Sequence, residues 1–417
     1  MFLESVDTLV VGGGQAGIAM SEHLSKCGQR HLVLERNRIA ERWRSERWDS
    51  LVANGPAWHD RFPGRTFSGD QDAFATKNQI VDYFVEYTEQ IRAPIRCGVE
   101  VVALSKTADG TTFHAQTREG FIEAKNVVVA TGPFQRPVIP NIVSAPGLQQ
   151  IHSANYRNPS QFGDGAVLVV GAGSSGVQIA DELARSGRRV WLSVGPHNRP
   201  PRRYRGRDFV YWLGVLGEWD TKVITPGTEH VTIAVSGARG GHTVDFRELA
   251  SLGITLLGTT TGCQNGVLRF APDLARNITN GDSDYLSVLD RADAYVAQHG
   301  LDYPRDPQAR ELGPLPHCVT DPLLGLDMAS AGITSIVWAT GYALDFDWIK
   351  IESAFDDNGR PKHHRGVSTM DGLYFLGLSW LSRRASAFIW GVWHDAYYLA
   401  QHISSLDSQR RCQTSVQ

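Results

Sequence analysis

The sequence predicts an α/β chain built around two copies of one strand–turn–helix unit. Three observations predict it. DTLVVGGGQAGIAM, from Asp7 to Met20, places an apolar, β-branched run before a glycine turn and a helix start. VLVVGAGSSGVQIA, from Val167 to Ala180, repeats the pattern. Two later apolar strands, Asn126–Ala130 and Ile333–Ala339, each end in Ala-Thr-Gly, so every copy has a matching later strand. Apolar strands alternating with helical periods form a parallel sheet covered on both faces.

The elements follow in order. Thr8–Val11 is a strand, Gly12–Gly17 a turn, and Ile18–Lys26 a helix with Gly28 just past its end. His31–Leu34 is the next strand, ending at Glu35. Ile80, Tyr83, Phe84, Tyr87 and Ile91 recur at helical spacing and predict a helix over Asn78–Ile91. The proline-rich stretch from Pro133 to Pro146 reads as an interdomain linker. The second unit runs through Ala166–Val170, Gly171–Gly176, a helix to Arg185, Gly187 and strand Val190–Ser193. Pro196–Asp220 reads as irregular, basic and aromatic. Leu373–Leu376 is a last strand and Ala387–Ile403 a last helix.

A chain of 417 residues is long enough for two or three domains. Its formal charge of −3 gives no bulk attraction to nucleic acid or to an anionic membrane, and neither partner is expected. Cys27, Cys97, Cys263, Cys318 and Cys412 form no CxxC pair. No zinc site or redox disulfide is therefore expected, and a reduced, cytoplasmic setting is. No signal-peptide pattern, long apolar span or metal-ligand spacing is read from the chain.

The glycine turns carry the chemistry. In the first, Gly12 permits the tight turn, Gly14 lets the backbone approach a pyrophosphate, and Gly17 lets the helix pack on the strand. The helix N-terminus at Gln15 and Ala16 offers free N–H groups to the phosphates. Glu35, followed by Arg36, ends the next strand 21 residues after Gly14. A carboxylate there accepts from ribose hydroxyls and repels a 2′-phosphate, so this site wants FAD or NAD. The second turn, with Gly171, Gly173, Ser174, Ser175 and Gly176, fits equally well. Its strand ends at Ser193-Val194, with no acid, and Arg199, Arg202, Arg203, Arg205 and Arg207 follow. Arginines without an acid suit a 2′-phosphate, with Arg199 or Arg203 as ligand and Ser193 as helper; a solvated basic loop is the other reading. The fold class is thus α/β with two Rossmann-like dinucleotide-binding domains, FAD in the first and NADPH in the second.

Further motifs, in order, resemble the class B flavoprotein monooxygenases: flavin-containing monooxygenases, plant YUCCA enzymes and type I Baeyer–Villiger monooxygenases. The resemblance covers nearly the whole chain. Trp43-Arg44 and Arg47-Trp48-Asp49-Ser50-Leu51 resemble the segment that lies along the flavin, although Ala40-Glu41-Arg42 replaces its usual glycines. Asn54-Gly55-Pro56 resembles the asparagine turn at the flavin face, and it is also a common turn sequence. Ala130-Thr131-Gly132 with Phe134, Pro137 and Pro140, Ala339-Thr340-Gly341-Tyr342, and Gly372 to Gly377 match later motifs. The histidine fingerprint is partial. His152 and Tyr156 keep their spacing, with Pro146 and Leu148 where Phe and Gly are expected. Tyr156-Arg157 stands where the Baeyer–Villiger version has Trp, then Pro or Asp. His152 also reads as a brace for the linker.

The resemblance implies a soluble FAD- and NADPH-dependent monooxygenase. Such an enzyme forms a C4a-(hydro)peroxyflavin and inserts one oxygen atom of O2 at N or S of a small aromatic or apolar substrate. It implies a discontinuous FAD domain, 1–160 and 326–417, with an NADPH domain, 161–325, inserted and carrying the irregular 196–220. Asn54 is the catalytic candidate, since a neutral amide can donate to developing charge on oxygen. Trp43, Arg44, Trp48, Leu51, Thr131, Gly132, Ala339, Thr340, Gly341 and Gly377 are expected at the cofactors. Phe388, Trp390 and Trp393 are expected at the substrate or in the core. A homodimer is possible on this reading. Baeyer–Villiger oxidation of a ketone and an NADPH-dependent flavin reductase or electron-transfer flavoprotein remain the alternatives.

Overall fold

The computed structural model describes residues 2–222 and 232–414. Strand β1 (Phe2–Val11) leads into helix α1 (Gln15–Lys26) and strand β2 (His31–Glu35). Helix α2 (Lys77–Gln90) starts at a reciprocal cap, in which Thr76 Oγ1 accepts from Gln79 N and Gln79 Oε1 accepts from Thr76 N. Strand β3 (Gly120–Val129) lies beside β1. The chain then builds a second unit. It comprises β4 (Gln149–His152), β5 (Ala166–Val170), α3 (Ser174–Arg185), β6 (Val190–Ser193), α4 (Phe209–Val215), β7 (Thr255–Leu257), α5 (Leu274–His299) and β8 (Ile333–Trp338). It returns to the first unit with β9 (Leu373–Phe375) and α6 (Ile389–Thr414).

The first sheet has nine strands, and its centre is a parallel run in the order β9-β3-β1-β2. The second has five parallel strands in the order β7-β6-β5-β8-β4. Both centres are buried on two faces, which is why β5 (AVLVV) and the end of β3 (NVVV) are continuous apolar runs rather than alternating ones.

This pairing corrects the domain boundaries expected from the sequence. Strand β4 lies before residue 161 and β8 after 325, yet both pair in the second sheet, so the inserted unit spans Gln149 to Trp338. The chain therefore crosses between units twice. The crossings lie side by side as an antiparallel ribbon, Arg136–Pro137 against Tyr342–Ala343. His152 braces the ribbon. Its Nδ1 accepts from Ala154 N at 3.1 Å and its Nε2 donates to Gly341 O at 2.9 Å. Burial lowers its pKa and favours this neutral ring.

Pro196–Asp220 is more ordered than its composition suggests. It holds a short ribbon, Arg203–Tyr204 against Arg207–Asp208, and then α4. Asp208 caps α4 by accepting from Val210 N, and Phe209, Val210, Trp212 and Leu213 bury its inner face. Tyr204, Phe209 and Trp212 there are core. Among the described residues no helix is long and apolar enough to cross a membrane, and no three His, Cys, Asp or Glu side chains are grouped to hold a metal ion.

Candidate active site

The two glycine turns are built alike. β1 and β5 lead into glycines of positive φ, Gly12 at 117° and Gly171 at 118°. A Cβ on Gly12 would collide with the Ala130 carbonyl, and one on Gly171 with the Ala339 carbonyl. That shared contact explains the repeated Ala-Thr-Gly: each alanine carbonyl forms the floor under its turn. Gly17 and Gly176 rest their helices on the carbonyls of Gly12 and Gly171, where a Cβ has no room. α1 and α3 begin at Gly14 and Gly173 without a side-chain cap. Their first N–H groups are left to an anion at the positive end of the helix dipole. A Cβ on Gly14 would meet nothing within 4 Å, which leaves room for a pyrophosphate. The residues present fit a dinucleotide at both turns.

The strand ends differ. Glu35 Oε2 accepts from Gly13 N at 2.7 Å and Oε1 from Asn37 N at 2.9 Å. A carboxylate has about four acceptor positions, so two remain for ribose hydroxyls. Arg36 is exposed beside it. At the end of β6, two of the residues expected at a 2′-phosphate are committed elsewhere. Ser193 is buried; its Oγ donates to Gly258 O and accepts from Thr260. Arg199 is 2 % exposed and lies over the Tyr285 ring. Its Nε and Nη2 reach Asp282 Oδ1 at 3.0 and 2.6 Å. A guanidinium already paired in the core cannot also bind a phosphate in solvent, so Arg199 and Ser193 are structural. Arg203 remains exposed; it donates to Gly240 O and lines a cavity of ≈ 180 Å³ with Pro56, Trp58, Asp72 and Tyr211.

Asn54 lies where the two units meet. Its backbone carbonyl accepts from Arg202 Nη1 at 2.7 Å, and Arg202 is itself paired with Asp208. Its side-chain Oδ1 accepts from Gln178 Nε2 at 2.9 Å, and the same Nε2 donates to Val235 O at 2.8 Å. A backbone carbonyl can only accept, so Val235 fixes the Gln178 amide, and Gln178 fixes that of Asn54. Among the described residues nothing accepts from Asn54 Nδ2, which is left as a donor. The adjoining Gly55 N donates to Asp60 Oδ2 at 3.0 Å, and Asp60 Oδ1 accepts from His59 Nδ1 at 2.7 Å. A Cβ on Gly55 would run into that carboxylate. The His59 ring stacks on Trp219 at 5.5 Å and meets Trp390 edge-on at 5.4 Å, while Phe388 packs on Trp219 at 5.1 Å. His59 Nε2 and Trp390 Nε1 are buried without a partner among the described residues.

Residues 9–215 match the family model described as pyridine nucleotide-disulphide oxidoreductase. A probable indole-3-pyruvate monooxygenase, YUCCA4 of Arabidopsis thaliana, is 24 % identical over 95 % of this chain and 89 % of its own. A flavin monooxygenase of Stenotrophomonas maltophilia, as a double mutant, shares the fold with a TM-score of 0.69 at 18 % identity, over 97 % of this chain and 99 % of that one. An uncharacterized oxidoreductase of Geobacillus kaustophilus, CzcO-like, is 33 % identical over 95 % of this chain and 98 % of its own. The chain belongs to the CzcO-like oxidoreductases.

In this CzcO-like enzyme the remaining expected residues are spread over both units and the ribbon between them. Gln15 Nε2 donates to Ala387 O at 2.7 Å, and Gly377 lies against Ala16, so the C-terminal return closes over the first turn. Thr131 and Gly132 accept from Gln135 beside that turn; Thr340 Oγ1 donates to Val138 O and Gly341 accepts from His152 on the ribbon. Trp43 packs against both cores, Arg44 donates to Ile39 O, and Trp48 and Leu51 are buried in the second unit's core beside Tyr156. Ser174 Oγ donates to Ile233 O, while Ser175 has no side-chain partner among the described residues. Phe388 and Trp390 join the aromatic cluster, but Trp393 does not. It faces α1, packing on His23 at 4.1 Å and donating to Glu22 Oε2. That position packs against the first unit's core. His59, Asp60 and Gln178 are what the sequence reading missed. The His-Asp pair just after Asn-Gly-Pro was the one available local signal.

Proposed function

We propose that this enzyme is an FAD- and NADPH-dependent monooxygenase that transfers one oxygen atom of O2 to nitrogen or sulfur of a small aromatic or apolar substrate. One observation carries the reading: the Asn54 amide, fixed through Gln178 one helical turn from the second glycine turn, keeps an N–H donor without an acceptor among the described residues. When bound, FAD reduced by NADPH supplies the electrons that activate O2. The chain's own residues do the rest. Asn54 Nδ2 donates a hydrogen bond to charge developing on oxygen. The Glu35 carboxylate orients the first ribose, and the strand end at Ser193-Val194 has no acid to repel a 2′-phosphate. Trp58, Trp219, Phe388 and Trp390 give a flat substrate an apolar surround that limits water. No two cysteines in the sequence form a CxxC pair, which favours this reading over disulfide reduction through a vicinal dithiol.

The test uses the purified flavoprotein, NADPH, isotopically labelled O2 and a panel of aromatic amines, sulfides and ketones. Label in an N- or S-oxide, formed in step with NADPH consumption, is the expected result. Label in an ester or lactone would move the assignment to Baeyer–Villiger chemistry. NADPH oxidation yielding only hydrogen peroxide across the panel would refute the oxygen-transfer reading.

A further inference from the structure

Gln178 sits at a crossing that the proposed reaction leaves unexplained. It is on α3, one helical turn after Ser174, so both side chains share a face. Along that face lies a strap, residues 232–236. Thr232 O accepts from Asn198 N, and Ala234 N donates to Asn198 O. Ile233 O accepts from Ser174 Oγ at 2.8 Å, and Val235 O accepts from Gln178 Nε2. A Cβ on Gly173 would lie 3.3 Å from Thr232 Cγ2, so the strap covers the second glycine turn. It reaches Asn54 by two routes. Gln178 joins Val235 O to Asn54 Oδ1, and Arg202 Nη1 contacts both Ser236 O and Asn54 O.

We propose that Gln178 is a positioning residue that couples pyridine-nucleotide binding at the second turn to the orientation of the Asn54 amide. The inference rests on the two-nucleotide reading above. A pyrophosphate and the Ile233 carbonyl are both acceptors for the same hydroxyl at the same helix N-terminus. The anion, favoured by the helix dipole, displaces the carbonyl and shifts the strap. Val235 O then leaves Gln178, and Nε2, no longer shared, donates to Asn54 Oδ1 alone and fixes that amide in its working orientation. Linkage makes the effect reciprocal: whatever holds the strap down weakens the nucleotide.

The experiment is a calorimetric titration of NADP⁺ into the purified flavoprotein as wild type, Gln178→Leu, Asn54→Ala and the double variant. Gln178→Leu frees the strap and disorients Asn54. The expected result is therefore a split: NADP⁺ binds about 5-fold or more tighter, within the usual allosteric range of about 5–150-fold, while kcat falls. A residue that only supports the fold would weaken both. The effects of the two single variants should also be non-additive. Unchanged or weaker NADP⁺ binding in Gln178→Leu, or strict additivity, overturns the coupling. Wild-type protein that binds no pyridine nucleotide overturns the two-nucleotide reading itself, a distinct outcome. Should Gln178→Leu not fold, hydrogen exchange of the wild type decides. NADP⁺ should speed exchange at Ala234 and alter it at Gly55, and no change at either refutes the proposal.

Discussion

Replacing Arg199 by methionine separates a structural arginine from a phosphate ligand. The side chain keeps its unbranched apolar stem and loses the guanidinium and its charge. In the structure Arg199 makes two bonds to Asp282 Oδ1 and a longer one to Val244 O. Removing one partner of a buried pair costs about 3–5 kcal/mol when the other charge is stranded. Here it is not stranded, because Arg247 Nη1 and Nη2 still reach Asp282 at 3.0 and 2.6 Å. The expected loss is therefore smaller, about 2–3 kcal/mol, which by the scaling for domains of this size is a fall in Tm of about 4–12 °C. The NADPH-to-NADH selectivity ratio should not move. Burial alone would raise the Asp282 pKa, but hydrogen bonds from Arg247 and Arg199 outweigh it and hold the group below the usual carboxylate range. The pair's contribution is thus present above the unfolded-state pKa of about 4 and lost as the pH falls through the folded value. The gap in Tm between wild type and variant should narrow in acid. Thermal unfolding across pH, with kcat/KM for both nucleotides, checks all three. Unchanged Tm with a tenfold loss of selectivity would refute the reasoning and restore Arg199 as a ligand.

Three other perturbations have defined outcomes. Asn54→Ala should lower kcat about 10²–10³-fold with flavin content intact, measured by NADPH-dependent product formation; a change under about threefold counts against Asn54. Glu35→Ala removes charge-assisted bonds of about 1.5–3 kcal/mol and should weaken FAD about 10–150-fold, read as flavin lost on gel filtration. Asp60→Ala strands Gly55 N–H and His59 Nδ1 together, so a loss of about 2–4 kcal/mol in denaturant unfolding is expected, with lower kcat as the Asn54 turn loosens. An unaltered midpoint would show that neither bond matters.

What was legible in the sequence was local. The strands and helix starts of both units follow from runs of four to ten residues, and β2, β5 and β6 fall where periodicity puts them. The glycine turns are legible because backbone conformation at Gly12 and Gly171 restricts residue type directly. The 26-residue α5 was not, since Asn277, Asn280 and Gly281 are poor helix formers. Its buried face overrides them. The arginines misled for a related reason. Composition showed positive charge after β6, but the partner that consumes Arg199 is 83 residues away on α5. Gln178 and Asn54 are 124 residues apart, and no spacing rule joins them. The site is assembled by tertiary contacts between units, which one-dimensional patterns do not record.

The paired crossing at Arg136–Pro137 and Tyr342–Ala343 makes the inserted unit a cassette. Both of its ends leave the host at one place, so the host's own strands β3 and β9 pair with each other regardless of what the cassette contains. Lineages could exchange or remodel the second unit without rerouting the first. A double tether also removes the freedom that a single linker would give. The cassette cannot drift away or swap between molecules without breaking the ribbon and withdrawing Trp48 and Leu51 from its core.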